Sequence, residues 1–287
     1  MFNNIFHGGA VDIASDQYNI PINNWLDIST GINRISYPIR NIFNLDLQRL
    51  PLLYDLLNLY EIAKKYYKVA SADHIVFSPG TQLLIQMIQH WIVSHCDIHS
   101  VHIMGFTYGE YEKEWKNTKY RIIRHHTLPQ YRYDIAYDIL SYNHNIVLIL
   151  VNPNNPDGSL IAPDKVYKLI EKAKEHNSWI LIDEAFMDCT PQYSVTPMID
   201  TLPQTIIFRS FGKFFGLAGL RLSCLITNTK IANQLRRYIG PWAISGFGIK
   251  IGIQAFNDYQ WHNTTRNRLI QSIQDLDRLI LKYTKLK

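Results

Sequence analysis

One lysine, Lys213, lies in an otherwise apolar and glycine-rich stretch, and it is the first sign of chemistry in the chain. The stretch reads IIFRSFGKFFGLAGLR and covers residues 206–221. A lysine among apolar side chains is costly to bury unless it has a charged partner or reacts as a neutral amine. Two interpretations therefore stay open: a salt-bridged structural lysine, or a nucleophilic lysine whose pKa is lowered by an apolar, cation-rich site.

Other polar residues could complete a site around a reactive lysine. Asp183 in LIDEAF could keep a heterocyclic nitrogen protonated, although a helix cap or a surface acid would also explain it. Asn155 in NPNNPDG could donate to a ring oxygen, but the segment is equally typical of a β-turn array. Tyr108 could stack on a flat ring, and a core tyrosine is nearly as well supported.

A second group of residues could bind a phosphate. Gly80 and Thr81 lie at a predicted helix start, where backbone N–H groups and the helix dipole favour an anion. Ser210 could add a hydroxyl and Arg221 a fixed positive charge. Taken alone, the SPGT segment is better explained as an ordinary helix cap. Together with Lys213, these residues suit pyridoxal phosphate, which needs a lysine, an acid and a phosphate cradle.

The elements that must position these residues alternate between short apolar strands and amphipathic helices. Such a pattern predicts an α/β protein with a mostly parallel sheet that helices cover on both faces. In these sheets ligands bind at the carboxyl ends of the strands, so the polar residues should converge at one edge. The predicted strands are 74–80, 100–105, 120–125, 145–153, 179–186, 205–210 and 222–227, and the clearest helices are 81–93 and 162–177.

Composition narrows the class of protein. The 287 residues are 47% hydrophobic and 18% charged, as in an ordinary folded protein. The net charge of +5 comes without a basic block, which argues against a nucleic-acid partner. Cys96, Cys189 and Cys224 lie far apart and the histidines lack metal-binding spacing, so we expect no disulfide framework, no metal and a cytoplasmic location. The start does not resemble a signal peptide, and no apolar run is long enough to span a membrane.

The motifs NPNNPDG, DEAF and RSFGKFFGLAGLR, in this order, resemble the fold-type I pyridoxal-phosphate enzymes of the aminotransferase class I/II family. HGGAVDIA, STGIN and GPWAISG narrow the resemblance to the threonine-phosphate decarboxylase branch, with histidinol-phosphate aminotransferases as near relatives. The resemblance runs from His7 to the final helix. It implies a three-layer α/β/α large domain and pyridoxal 5′-phosphate as cofactor.

The resemblance also implies a role for each candidate residue. Lys213 matches the catalytic lysine that binds the cofactor covalently, Asp183 the acid on the ring nitrogen, and Asn155 the donor to the ring oxygen. Tyr108 matches the stacking aromatic. The residues that match the phosphate site are Gly80, Thr81, Ser210 and Arg221, and those expected to border the substrate are His7, Gly31 and Asn33. From the residues alone, His7 could equally belong to a flexible arm.

Two departures from the family pattern stand out. Phe186 takes the place of a tyrosine that contacts the ring oxygen in many aminotransferases, so Asn155 would bear that role alone. The chain also ends within a helix that leads into a small C-terminal domain in the family, and the resemblance implies that this domain is truncated. We expect residues 1–50 to form an arm that borders the substrate, 51–230 the large cofactor-binding domain, and 231–287 the incomplete start of the small domain.

The implied function is a homodimeric decarboxylase of cobalamin biosynthesis. Its expected substrate is the amino-acid phosphate L-threonine O-3-phosphate, and its expected product is (R)-1-aminopropan-2-yl phosphate. An aminotransferase of histidinol-phosphate type would share every cofactor contact, because the two reactions differ only in which substrate bond is held perpendicular to the ring. A shortened, non-catalytic remnant is the third hypothesis.

Overall fold

Strands and helices alternate along most of the chain, close to the bounds that the sequence predicts. The computed structural model describes residues 8–40 and 48–284. The strands are β1 (Ile75–Ser78), β2 (Ser100–Met104), β3 (Arg121–His125), β4 (Ile146–Val151), β5 (Trp179–Asp183), β6 (Thr205–Ser210) and β7 (Ser223–Thr227). The α-helices are α1 (Val11–Tyr18), α2 (Leu53–Tyr67), α3 (Thr81–His95), α4 (Glu110–Trp115), α5 (Arg132–Tyr142), α6 (Pro163–Glu175), α7 (Phe211–Phe214), α8 (Thr229–Ile239), α9 (Gly246–Asn257) and α10 (Tyr259–Tyr283).

The seven strands form a mixed sheet in the order β1-β7-β6-β5-β4-β2-β3. The pairs from β6 across to β3 are parallel, whereas β7 runs antiparallel to both β1 and β6. The sheet is therefore mostly parallel, which confirms the predicted α/β class. The central strands read as unbroken apolar runs because helices cover both of their faces.

Alternate residues of each strand pack into two hydrophobic layers, one on each face of the sheet. In β4, Val147 and Ile149 belong to the layer that α3, α4 and α8 complete. Ile146, Leu148 and Leu150 belong to the opposite layer, which includes α2, α5, α6 and α9. This separation follows from the two-residue period of a strand, and burial of apolar surface at about 25 cal/mol per Å² stabilises both layers. The predicted three-layer arrangement is confirmed.

The carboxyl ends of β1, β5 and β6 lie at one edge of the sheet. Because β7 is antiparallel to both of its neighbours, β1 and β6 point the same way, and Ser78 and Ser210 both pair with Ser223. The end of β4 joins the same edge, since the backbone N–H of Asn152 donates to the carbonyl oxygen of Asp183 at 2.8 Å. The fold thus brings together the polar residues that follow four separate strands.

The N-terminal segment runs against the turn that carries Lys213. The backbone N–H of Asn33 donates to the Lys213 carbonyl at 3.0 Å, and that of Tyr37 donates to Phe215 at 2.8 Å. Gly216, at φ +66°, makes this approach possible, because a Cβ there would stand 2.5 Å from the Asn33 carbonyl oxygen. The segment therefore fixes the backbone of the lysine-bearing turn from outside the sheet.

Helix α10 packs on the fold through its first turns only. His262 and Thr265 are buried, while Leu276 and Leu279 are each 54% exposed. Across the parts of the chain that the structure describes, none of the helices combines the length and apolarity needed to cross a membrane.

Candidate active site

A cavity of about 170 Å³ lies at the edge where the strand ends converge, and we call it the inner cavity. Residues that the sequence analysis singled out make up much of its wall: Thr81, Tyr108, Asn155, Asp183, Lys213 and Arg221. Gly80 lies directly behind Arg221, and Ser210 lies at the end of β6 beside Ser223 rather than on the wall. The fold thus gathers the predicted cofactor site around one small space.

Lys213 reaches the inner cavity from α7, the short helix that follows β6. Burial lowers the pKa of its ammonium group, and Arg221 lowers it further, while Asp183 opposes the shift. Its Nζ lies 5.6 Å from the centre of the Phe186 ring, an arrangement in which the ring face attracts the cation. A partly desolvated lysine of this kind becomes a neutral amine more readily than one in water.

Asp183 ends β5 and is 5% exposed. One carboxylate oxygen accepts the Ala185 N–H at 2.8 Å, and the other accepts the hydroxyl of Tyr111 at 2.8 Å. Burial raises the pKa of Asp183, and these two hydrogen bonds together with Lys213 oppose the rise. A protonated ring nitrogen placed beside this carboxylate would stabilise its ionised form.

An anion site lies where β1 leads into α3. Gly80 has φ +106°, and a Cβ at this position would stand 2.9 Å from Cζ of Arg221, so the guanidinium occupies space that only glycine leaves open. Arg221 itself adopts a left-handed backbone at φ 54°, and its Nη1 donates to the Ala218 carbonyl at 3.1 Å. Thr81 begins the 15-residue α3, whose first N–H groups have no intrahelical partners. A phosphate would meet both the helix terminus and the guanidinium there.

Two of the three asparagines of NPNNPDG, Asn152 and Asn155, are placed differently. The side chain of Asn152 is buried and bonds both the N–H and the carbonyl of Ile161, at 2.8 and 3.0 Å, so it ties the loop together. Asn155 lines the inner cavity instead. Of these two residues, Asn155 is therefore the one placed to contact a bound molecule.

A larger cavity of about 510 Å³ adjoins the first, and we call it the outer cavity. It shares Tyr108, Asn155 and Lys213 with the inner cavity. The other residues of its wall are Gly8, Ser29, Thr30, Gly31, Gly109, Glu110 and Lys113. Its polar lining and its position in front of Lys213 suit a substrate.

The predicted substrate residues are placed differently from one another. Gly31 lines the outer cavity and packs on Phe186, since a Cβ there would stand 2.6 Å from the ring. The Asn33 amide donates to the Phe214 carbonyl at 2.9 Å, so this side chain braces the lysine-bearing turn. A direct substrate contact by Asn33 stays a prediction. His7 lies outside the described residues.

Sequence reasoning missed a polar network that connects the walls of the two cavities. The Gln82 amide donates to Glu110 at 2.6 Å and to Glu114 at 3.0 Å, and Lys113 pairs with Glu110 at 3.1 Å. Within the described part of the chain, the buried Oε1 of Gln82 has no hydrogen-bond partner. The network could have been found from its position in the sequence, because its residues are close to predicted site residues. Gln82 directly follows SPGT, and Glu110 lies two residues after Tyr108.

Comparison with known proteins places the chain in a family. A sequence model described as aminotransferase class I and II matches residues 51–282. The chain belongs to this family. It is 31% identical over 277 residues to a threonine-phosphate decarboxylase of Pseudomonas aeruginosa, a match that covers 96% of this chain and 78% of the relative. A threonine-phosphate decarboxylase of a Sinorhizobium species is 34% identical over 248 residues, which cover 86% and 70% of the two chains.

A solved structure extends the comparison to the fold. The histidinol-phosphate aminotransferase of Clostridium acetobutylicum matches with a TM-score of 0.67 at 24% identity, over 80% of this chain and 69% of that chain. At this identity the likeness shows the shared fold alone. It agrees with the predicted fold-type I architecture of the aminotransferase class I and II family.

Pyridoxal 5′-phosphate, the cofactor of this family, fits the inner cavity. The donor set combines an amine, a buried carboxylate, and a helix terminus beside a guanidinium, and each suits a different part of the cofactor. No group of three or more metal-ligating side chains occurs within residues 8–40 and 48–284.

Proposed function

We propose that the chain is a pyridoxal-phosphate-dependent decarboxylase of L-threonine O-3-phosphate. The observation that carries the proposal is that Lys213 and Asp183 line one cavity in a chain similar to threonine-phosphate decarboxylases over 86–96% of its length. The expected product is (R)-1-aminopropan-2-yl phosphate, an intermediate of cobalamin biosynthesis. A homodimer in the cytoplasm remains part of the proposal.

Each cofactor-facing residue has a distinct task in this proposal. Lys213 binds the cofactor covalently, Asp183 holds the ring nitrogen in its protonated state, and Asn155 donates to the ring oxygen. The phosphate lies at the start of α3, against Gly80 and Arg221. Bound pyridoxal phosphate supplies an electron-accepting ring that weakens a bond at the substrate's α-carbon.

The remaining chemistry belongs to the protein. The α-carbon loses its carboxylate as CO₂ and must gain one proton in its place. Lys213 is the residue placed to deliver that proton, because it lines both cavities and burial lowers the pKa of its amine, which eases the exchange of a proton. Tyr108 lines both cavities, and its ring bounds one side of the reacting space.

The outer cavity supports a phosphorylated substrate. Among the described residues of its wall, the cationic side chains are Lys213 and Lys113. Lys213 is assigned to the cofactor, so Lys113 is the ammonium group available for a phosphate. Glu110 holds Lys113 at 3.1 Å on the cavity wall, and only part of its three-donor ammonium is used in that pair. The hydroxyl of Thr30 stands on the same wall.

An aminotransferase of histidinol-phosphate type is the second candidate, and it is supported by 30% identity over 221 residues to the histidinol-phosphate aminotransferase of Blochmanniella pennsylvanica, which cover 73% of this chain and 60% of that relative. Both activities would use the same contacts between the chain and the cofactor. They differ in product, since transamination moves the amino group to a keto acid and releases no CO₂. A shortened, non-catalytic remnant would do neither.

The test is to add pyridoxal phosphate and then L-threonine O-3-phosphate, and to measure CO₂. We expect a visible absorbance band on cofactor addition, CO₂ release on substrate addition, and loss of both in Lys213→Ala with an unchanged far-ultraviolet circular dichroism spectrum. Amino transfer to 2-oxoglutarate without CO₂ would support the second candidate instead. A colourless wild-type protein would contradict both enzymes.

The homodimer is tested separately. Sedimentation at micromolar concentration should give twice the monomer mass of 33.5 kDa. A monomer under these conditions would count against the dimer and leave the chemical assignment to the CO₂ assay.

A further inference from the structure

Tyr111 contacts Asp183 from α4, the helix that begins two residues after Tyr108. It lies on α4, is fully buried, and donates its hydroxyl to one Asp183 oxygen at 2.8 Å. The Ala185 N–H donates to the other oxygen at 2.8 Å. Two donors on two different oxygens fix the plane of the carboxylate as well as its position.

Packing fixes the ring that carries the hydroxyl. The Tyr111 ring meets Phe208 of β6 with centroids 6.1 Å apart, and it meets Tyr108 edge-on at 6.2 Å. Phe208 is fully buried, and its strand leads directly to α7 and Lys213. Tyr111 therefore connects Asp183, at the end of β5, to β6, the strand that leads to Lys213.

The charges around Asp183 give the hydroxyl an electrostatic task. Burial raises the pKa of this carboxyl, and the Tyr111 hydrogen bond is the largest opposing effect, followed by the Ala185 N–H, Lys213 and Arg209. Burial and the nearby Asp183 raise the pKa of Tyr111 well above its usual value, so the phenol stays a donor. A carboxylate that accepts such bonds is stabilised in its ionised form.

We propose that Tyr111 is the positioning residue for Asp183: its hydroxyl holds the carboxylate ionised and aimed into the inner cavity, where it meets the ring nitrogen of the cofactor. This inference rests on the proposed function, because it needs pyridoxal phosphate in that cavity. Tyr111 touches neither substrate nor cofactor in this role. It acts through Asp183.

The test compares Tyr111→Phe with Tyr66→Phe. Both substitutions remove a phenol hydroxyl that donates to an aspartate, since Tyr66 donates to Asp188 at 3.0 Å, and Asp188 does not line the inner cavity. For Tyr111→Phe we expect an affinity for pyridoxal phosphate about tenfold weaker, the loss of one hydrogen bond to a charged group. We also expect the acid limb of the visible-band titration to move up by about one pH unit, because an unsupported Asp183 takes up a proton more readily.

Tyr66→Phe should change neither the affinity nor the titration, although both variants should lose stability to urea. Equal affinities and titrations in the two variants would overturn the inference. Should Tyr111→Phe not fold, the pair Asp183→Asn and Asp183→Asn/Tyr111→Phe decides the matter. In that background the second substitution should leave cofactor affinity unchanged, and a further tenfold loss would show that Tyr111 does not act through Asp183.

The outcome for wild type separates this inference from the proposed function. A wild-type protein that binds no pyridoxal phosphate would overturn both. Normal binding by wild type and by Tyr111→Phe alike would overturn the inference alone.

Discussion

The guanidinium of Arg221 lies against the Cα of Gly80, in the space that a side chain would fill. Both residues adopt backbone conformations with positive φ, +106° for Gly80 and 54° for Arg221. Glycine adopts such a conformation without cost, whereas arginine does so rarely. The contact joins the β1–α3 turn to the turn before β7, and it places a fixed positive charge at the start of a helix.

Gly80→Ala should therefore weaken binding of pyridoxal phosphate without unfolding the chain. The new methyl group would displace Arg221, and the strained backbone at φ 106° and ψ 153° would cost about 1–3 kcal/mol of unfolding free energy. We expect cofactor affinity to fall at least about tenfold, because one charge-assisted contact to the phosphate is lost. Equilibrium titration of the visible band measures this affinity.

Gly240→Ala is the matched control. Gly240 also has positive φ, at +75°, but a Cβ there would meet no atom within 4 Å. This variant should lose stability through backbone strain and keep its cofactor affinity. Equal affinity losses in the two variants would show that strain, rather than displacement of Arg221, is responsible.

The sequence predicted the convergence of the site better than its supporting contacts. Asp183 and Lys213 could be placed together because Asp183 ends one strand and Lys213 follows another strand of the same sheet, and parallel strands end at the same edge. Tyr111 could not be assigned, because a buried tyrosine on a six-residue helix has no periodic signal that reveals its partner. Asn33 was expected beside substrate, and the structure uses its amide to brace Phe214. Such contacts depend on tertiary packing between segments far apart in sequence.

Lys113→Gln should weaken binding of L-threonine O-3-phosphate and leave binding of unphosphorylated L-threonine unchanged. The Lys113 side chain is 59% exposed, so we expect only about a fivefold rise in the Kd for the phosphorylated compound, as for one solvent-accessible ion pair. The spectral change of the bound cofactor on ligand addition measures both constants.

Lys116→Gln is the control for this change. Lys116 lies one turn further along the chain and pairs with Glu112 at 3.1 Å, and it does not line the outer cavity. Both variants remove one positive charge, and the two positions are only three residues apart in the sequence. A similar loss in both would indicate a general electrostatic effect on an anionic ligand rather than a contact with Lys113.

Arg209→Leu should destabilise the fold strongly. Arg209 is 2% exposed and pairs through separate nitrogens with Glu184 and Asp188, which are each about equally buried. Removal of the cation leaves two buried carboxylates without their partner, at an expected cost of about 3–5 kcal/mol of unfolding free energy. Urea denaturation of the wild type and the variant measures the difference.

The decrease in unfolding free energy caused by Arg209→Leu should also depend on pH. Burial already raises the pKa of Glu184, and Arg209 opposes that rise, so the substitution raises this folded-state pKa further. A group whose pKa is higher in the folded state contributes stability at low pH and loses it as the pH rises through the folded value. The difference in unfolding free energy between wild type and variant should therefore grow as the pH rises above the usual glutamate pKa of about 4.3. A difference that shrinks as the pH rises would contradict an ionised Glu184 held by Arg209.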